Sequence, residues 1–137
     1  MSELPTLTKN QKAVLSALKQ ADLPLGAYDL LDRLRAAGMR APPQIYRALD
    51  KLLDLGLVHR IESLNAFVAC DHGPHLEPAG FIICSRCGRA AEVKILDCED
   101  HLTASARSVG YRVDQVRVEM SGACAACSLP DQKANEN

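Results

Sequence analysis

Two CxxC pairs constrain this chain more than anything else in it: Cys84-Ser-Arg-Cys87 and Cys124-Ala-Ala-Cys127, separated by 36 residues. Four thiolates at two knuckles are the ligand set of a closed tetrahedral zinc site. The pairs take four of the six cysteines. They predict a fold in which both knuckles meet at one point. A closed site keeps no open coordination position, so the pairs predict a structural clip and not a reactive centre.

The rest of the composition sets bounds. A chain of 137 residues is one large domain or two small ones. A half of about 70 residues buries a marginal core, so a metal staple or a second copy is useful to it. Hydrophobic residues make up 47% and charged residues 24%, a globular composition. No apolar run reaches the roughly 18 residues of a membrane-spanning helix. Met1-Ser2-Glu3-Leu4-Pro5 has neither a basic region nor an apolar stretch, so no secretory signal is expected. The expectation is a cytoplasmic protein, whose reduced cysteines bind metal in preference to forming disulfides. Net charge is −1. Residues 1–62 carry nine basic against seven acidic groups, and residues 63–137 seven against ten. That asymmetry permits DNA binding by the first half without requiring it.

The first half reads as helices closed by a hairpin. Thr8-x-x-Gln11 is a capping box ahead of Val14, Leu15 and Leu18 at helical spacing. Residues 22–26 break that helix. A second helix is expected over residues 27–37, with Leu30, Leu31 and Leu34 on one face and Gly38 as its stop. Pro42 and Pro43 open a third, expected over residues 44–55 and ended by Gly56. Two β-prone runs, 57–62 and 66–70, flank a polar turn. Three helices and a hairpin are the winged helix-turn-helix plan, which sends the third helix into the DNA major groove. Its outward face carries Gln44, Tyr46, Arg47 and Lys51, which suit base-edge and phosphate contacts. The same face would also serve as ordinary solvated surface.

The second half differs. Residues 79–84 form a buried-strand run that delivers the first CxxC, and residues 89–95 a second strand. A polar helix is expected over 97–109. Residues 111–120 alternate with period two and predict a third strand leading to the second CxxC. An exposed strand edge invites a second copy, and a homodimer suits a two-fold DNA site. The fold class is therefore α+β: a winged-helix domain over 1–70, a hinge over 71–78, and a small α/β dimerisation domain over 79–137 with a structural zinc site of four cysteines.

A second ligand cluster comprises His59, Cys70, His72, His75 and Glu92. Imidazole, thiolate and carboxylate together suit Zn²⁺. Surface histidines on a linker beside a buried thiol would look the same in sequence.

Several motifs resemble the ferric uptake regulator family. They are the run Pro42 to Asp50, the wing Val58-His59-Arg60-Ile61-Glu62-Ser63-x-Asn65, Cys84-x-x-Cys87-Gly88 and Gly122-x-Cys124-x-x-Cys127. Ala27-Tyr28-Asp29-Leu30-Leu31 and Cys70 are similar to its zinc uptake regulator branch. The resemblance runs from about Thr8 to Cys127. It implies a homodimeric, zinc-responsive transcriptional repressor of zinc-uptake genes that binds double-stranded DNA at a two-fold-symmetric operator. It implies two zinc ions per chain. Cys84, Cys87, Cys124 and Cys127 match the structural site. His59, Cys70, His75 and Glu92 match the regulatory site, at which zinc acts as corepressor. Tyr28 and Arg47 match DNA-contacting positions. Asp32 and Arg35 match a pair through which adjacent dimers bridge on DNA, and alone they are also an ordinary surface ion pair.

The chain departs from the family pattern in places. It is expected to lack the extra N-terminal helix, and the spacing from His75 to Cys84 leaves His72 as an alternative ligand. His101 reads as a surface residue and Cys98 as a small hydrophobe at a helix start. Two other functions compete. An iron or peroxide sensor of the same family would need harder ligands than Cys70. A CxxC thiol–disulfide oxidoreductase would need its motif at the head of a helix in a thioredoxin-like unit.

Overall fold

Thr8 starts the first helix by exchange: its Oγ1 accepts from Gln11 N at 3.1 Å, and Gln11 Oε1 accepts from Thr8 N at 3.0 Å. The structure is a computed structural model and describes residues 6–71 and 79–128. The chain divides into two compact units, Met1–Leu76 and Glu77–Asn137.

Unit 1 contains helices α1 (Lys9–Gln20), α2 (Ala27–Leu34) and α3 (Pro42–Asp54), then strands β1 (Val58–Ile61) and β2 (Ala66–Ala69). The second helix is shorter than expected, because Arg35–Ala37 tightens into a 3₁₀ turn. Its end explains why. Gly38, at φ 96°, donates to Arg35 O, and Met39 N donates to Leu34 O. This is the Schellman exit, and it drops Met39 into the core with no exposed surface. The third helix ends the same way, through Gly56 to Leu53 and Leu57 to Leu52, and Leu57 is likewise buried. It begins two residues earlier than expected, since Pro42 and Pro43 occupy first-turn positions that need no N–H partner.

The periodic leucines meet in one core. Val14, Leu15, Leu18, Leu30, Leu34, Ile45, Leu49 and Leu52 pack with Val58 and Phe67. The wing is antiparallel, with His59 opposite Val68 and Ile61 opposite Ala66. Asn65 takes the left-handed turn at φ 49°, and its Oδ1 accepts from Arg60 at 2.8 Å. Leu25 exchanges two backbone hydrogen bonds with Phe67, which ties the break after α1 to the wing.

Unit 2 contains β3 (Ala79–Cys84), β4 (Ala90–Lys94), α4 (Leu96–Ser108) and β5 (Val118–Gly122). The strand order is β4-β3-β5, with β3 antiparallel to β4 and parallel to β5. The expected strand over 111–120 is corrected: only Val118 onward pairs. The register sets Val118 against Gly80, near the start of β3. Residues 111–117 have no ladder among the described residues. The exit of α4 repeats the Schellman pattern, through Gly110 to Arg107 and Tyr111 to Ala106. Here the residue that should be buried is not, since Tyr111 is 72% exposed. Among the described residues of unit 2 the buried apolar side chains are Phe81, Cys84 and Ile95.

Candidate metal centre and nucleic-acid interface

Parallel pairing of β3 with β5 brings the two knuckles together. Strands that run the same way end on the same side, and Cys84 is aligned with Gly122. Ser85 N and Oγ both bond Gly122 O, at 2.7 and 3.1 Å, which locks the two strand ends. Gly88, at φ 84°, turns the first knuckle back into β4 with its N–H on Cys84 O. The second knuckle closes through Cys127 N to Cys124 O at 3.0 Å.

All four sulfurs lie within 4.8 Å of one another. Cys87 Sγ and Cys124 Sγ are 3.7 Å apart. Sulfurs about 2.3 Å from a central zinc stand about 3.8 Å apart along a tetrahedron edge, so the spacing fits that ion. The chemistry of the surroundings fits as well. Cys84 Sγ accepts the backbone N–H of Cys124 at 3.3 Å and of Cys87 at 3.5 Å. These donors, Cys124 first, pull Cys84 down from an ordinary 9.0 to about 5. Cys124 is also lowered, chiefly by the backbone N–H of Cys127. Cys127 is pushed up to about 12, first by the side chain of Cys124, because four sulfurs this close do not all ionise without a cation. A divalent ion resolves that conflict by stabilising all four thiolates.

The second cluster divides between the units. In unit 1, His59 lies on β1 and Cys70 follows β2, and their ligand atoms lie within 4.8 Å of each other. Cys70 N donates to Leu57 O, so the backbone fixes where that thiol begins. In unit 2, Glu92 lies on β4 opposite Phe81 and is half-buried. His72 and His75 lie outside the described residues. Cys98 and His101 are exposed on α4.

The expected DNA-facing residues are on the surface of unit 1. Tyr28 is 66% exposed on α2, and Tyr46, Arg47 and Lys51 are exposed on α3. Gln44, which is half-buried, has a role that its sequence reading did not include. Its Oε1 accepts from Arg40 N at 2.8 Å and Ala41 N at 3.1 Å. The carbonyl thus serves the head of α3, and only the amide nitrogen remains to meet a ligand. Asp32 and Arg35 pair with each other at 3.5 Å, both well exposed.

A winged three-helix unit followed by a sheet clipped by four cysteines has the fold of the ferric uptake regulators. The regulator from Francisella tularensis with iron shares it at a TM-score of 0.56 and 21% identity, covering 93% of this chain and 98% of that one. No protein-family model matches the chain. A zinc uptake regulation protein of Escherichia coli (strain K12) is 40% identical over 125 residues, which cover 88% of this chain and 72% of that protein. Two solved structures are similar throughout. The holo form of XcZur has a TM-score of 0.81 at 41% identity, covering 92% of this chain and 89% of its own. A zinc uptake regulator complexed with zinc and DNA has a TM-score of 0.82 at 38% identity, covering 94% and 86%. The chain belongs to the zinc uptake regulator family.

Proposed function

We infer that this chain is a zinc-responsive DNA-binding transcriptional repressor. The observation that carries the reading is its 38% identity, across 94% of its length, to a regulator solved with zinc and DNA. The winged unit, with exposed Tyr28, Tyr46, Arg47 and Lys51, is the DNA-binding part. Its third helix enters the major groove, and Gln44 contributes an amide N–H.

The chain holds two zinc ions. Cys84, Cys87, Cys124 and Cys127 hold one, whose task is to keep the ends of β3 and β5 joined. His59, Cys70, His75 and Glu92, with His72 as the alternative to His75, hold the other. The support for this second set is the family resemblance and the short approach of His59 to Cys70 within unit 1. A zinc ion bound there would be held by nitrogen, sulfur and oxygen donors, a mixture that suits it. In this reading zinc at the second set selects the arrangement of the chain that binds DNA. That selection favours DNA binding only by the difference in zinc affinity between the competent and incompetent arrangements.

The protein works as a homodimer on a two-fold-symmetric operator in the cytoplasm. Tyr111, Val109 and Met120, exposed on the poorly cored unit 2, are suited to a second copy. Asp32 and Arg35 exchange their internal pair for contacts between neighbouring dimers on DNA. The oxidoreductase alternative lacks support, because its motif belongs at a helix head. Here Cys84 ends a strand and Cys87 lies in the turn that returns to β4.

The test is a zinc titration of protein that already holds one zinc per chain, read as binding to duplexes selected from a two-fold-symmetric library at fixed salt. Affinity is expected to rise with the second zinc. An affinity independent of added zinc would overturn the corepressor reading.

A further inference from the structure

Two glutamines, Gln11 at the head of α1 and Gln44 at the head of α3, line one open cleft with Lys9 and Arg47. The cleft has a volume of about 410 Å³. Each glutamine has its carbonyl committed to its own helix. Gln11 Oε1 accepts from Thr8 N. Gln44 Oε1 accepts from Arg40 N and Ala41 N, which fills both of its lone pairs. A backbone N–H bonds only to an acceptor, so chemistry fixes which amide atom is which. Gln44 has only its NH₂ left to offer, and Gln11 its NH₂ with one lone pair. Lysine and arginine carry donors and no acceptor. Lys9, Gln11, Gln44 and Arg47 thus carry donors from two helices, two of them fully charged, and Thr8, Asn10 and Ala48 complete the lining.

Resting on the DNA-binding reading above, we propose that this cleft holds one phosphate of the DNA backbone, gripped by Lys9 Nζ and the amide nitrogens of Gln11 and Gln44, with Arg47 at its rim. A phosphate oxygen accepts only, so it matches every donor here. An adenine edge matches less well, and a guanine edge, which accepts at N7 and O6, is told apart by its sequence dependence. Reading adenine takes a side-chain amide that donates and accepts together, and Gln44 has no acceptor to give. With α3 as the recognition helix in the groove, its head and the head of α1, which line the same cleft, would share a phosphate at the groove's edge. The clamp fixes register on the duplex and carries no sequence information. Lys9, Gln11 and Gln44 therefore join the interface as positioning residues.

The experiment replaces a donor by an acceptor of the same shape. Gln11→Glu and Gln44→Glu keep an oxygen for each cap, and a carboxylate suits a helix N-terminus, so thermal melting should not fall. The amide N–H that faces the phosphate becomes a carboxylate oxygen. Gln20→Glu, at the other end of α1, makes the same change in net charge as the control. Zinc-loaded full-length variants are titrated with a selected symmetric duplex and with a random-sequence duplex. We expect Gln11→Glu and Gln44→Glu each to lose about ten-fold or more in affinity, the worth of a charge-assisted hydrogen bond, equally on both duplexes. Lys9→Gln should flatten the slope of log affinity against log salt by about 0.9 per chain engaged. The clamp is overturned if the two variants lose no more than Gln20→Glu, or if the loss appears on the selected duplex alone. Wild-type protein that failed to bind either duplex would instead overturn the DNA-binding reading itself.

Discussion

Cys87 Sγ stands 3.7 Å from Cys124 Sγ across 37 positions of sequence. No local interaction produces that approach. It follows from the parallel pairing of β3 with β5, and a zinc ion held there would in turn secure the pairing, since each knuckle sits at the end of its strand. Unit 2 has little apolar burial with which to hold that arrangement alone.

Cys124→Ser is therefore expected to cost the zinc and the fold of unit 2 together. Structural zinc contributes about 10–16 kcal/mol of apparent binding free energy in small zinc domains, far more than so small a core replaces. Zinc per chain by elemental analysis should fall by one, and circular dichroism should show lost sheet. The helices of unit 1 have their own core and should melt as before. A Cys124→Ser protein that kept its full zinc content and melting profile would contradict the clip.

Proton release on zinc binding should be fewer than four per site at pH 7. Cys84, held near 5 by the backbone N–H groups of Cys124 and Cys87, enters as a thiolate. Cys127, pushed up to about 12 by its sulfur neighbours, enters as a thiol. The number released should fall as pH rises, and calorimetry in buffers of different ionisation enthalpy counts it. In the metal-free fold, the contribution of Cys84 is full above its ordinary 9.0 and is lost as pH falls through about 5. That of Cys127 has the opposite sign, full below 9.0 and lost as pH rises through about 12. Stability from this pair is thus greatest near pH 9.

Gly80→Ala tests the centre of the sheet. A Cβ at this position would meet Ile95 Cγ2 at 2.5 Å and Val93 Cγ2 at 3.2 Å, and Ile95 is buried. Overpacking of this kind costs about 1–3 kcal/mol. The melting temperature of unit 2 should fall, while that of unit 1 should hold. An unchanged unit 2 would mean that Ile95 moves aside freely.

Much of this was legible from local signals. Apolar residues at helical spacing located all three helices of unit 1, because its leucines face a single core. The run Ala79–Cys84 gave β3 with its bounds, since β-prone residues end there at a cysteine knuckle. Residues 111–117 misled, because alternation records which faces are apolar and not whether a partner strand pairs there. The capping role of Gln44 was not legible for a related reason. The box at Thr8 shows in sequence because threonine caps, whereas Ala41 has no capping oxygen and only half of the exchange exists there. The short approach of His59 to Cys70 depends on antiparallel pairing in the wing, which spacing alone does not give.

Asp32→Ala should leave stability within about 0.5 kcal/mol, because its partner Arg35 stands 3.5 Å away with both side chains at least 60% exposed. If the two residues instead bridge dimers, the effect appears on DNA. A single dimer should bind with its affinity intact, and binding of a second should lose cooperativity. Gel shifts on a duplex long enough for two dimers separate these cases. Unchanged cooperativity would confine the pair to the helix surface.

Cys70→Ser separates the two proposed zinc sites. The substitution replaces a soft thiolate by a hydroxyl, which is a poor zinc ligand. The backbone bond from residue 70 to Leu57 O does not involve the side chain, so the wing should remain paired. The four cysteines of the clip belong to unit 2 and are untouched. The variant should therefore keep one zinc per chain and its melting temperature, yet lose the rise in DNA affinity that a second zinc produces. The phosphate cleft, built from α1 and α3, should be intact, so weak, salt-sensitive binding to a random duplex should persist without zinc dependence. A Cys70→Ser protein with an unchanged zinc response would remove Cys70 from the regulatory site. Loss of both zinc ions would show instead that the two sites do not act separately.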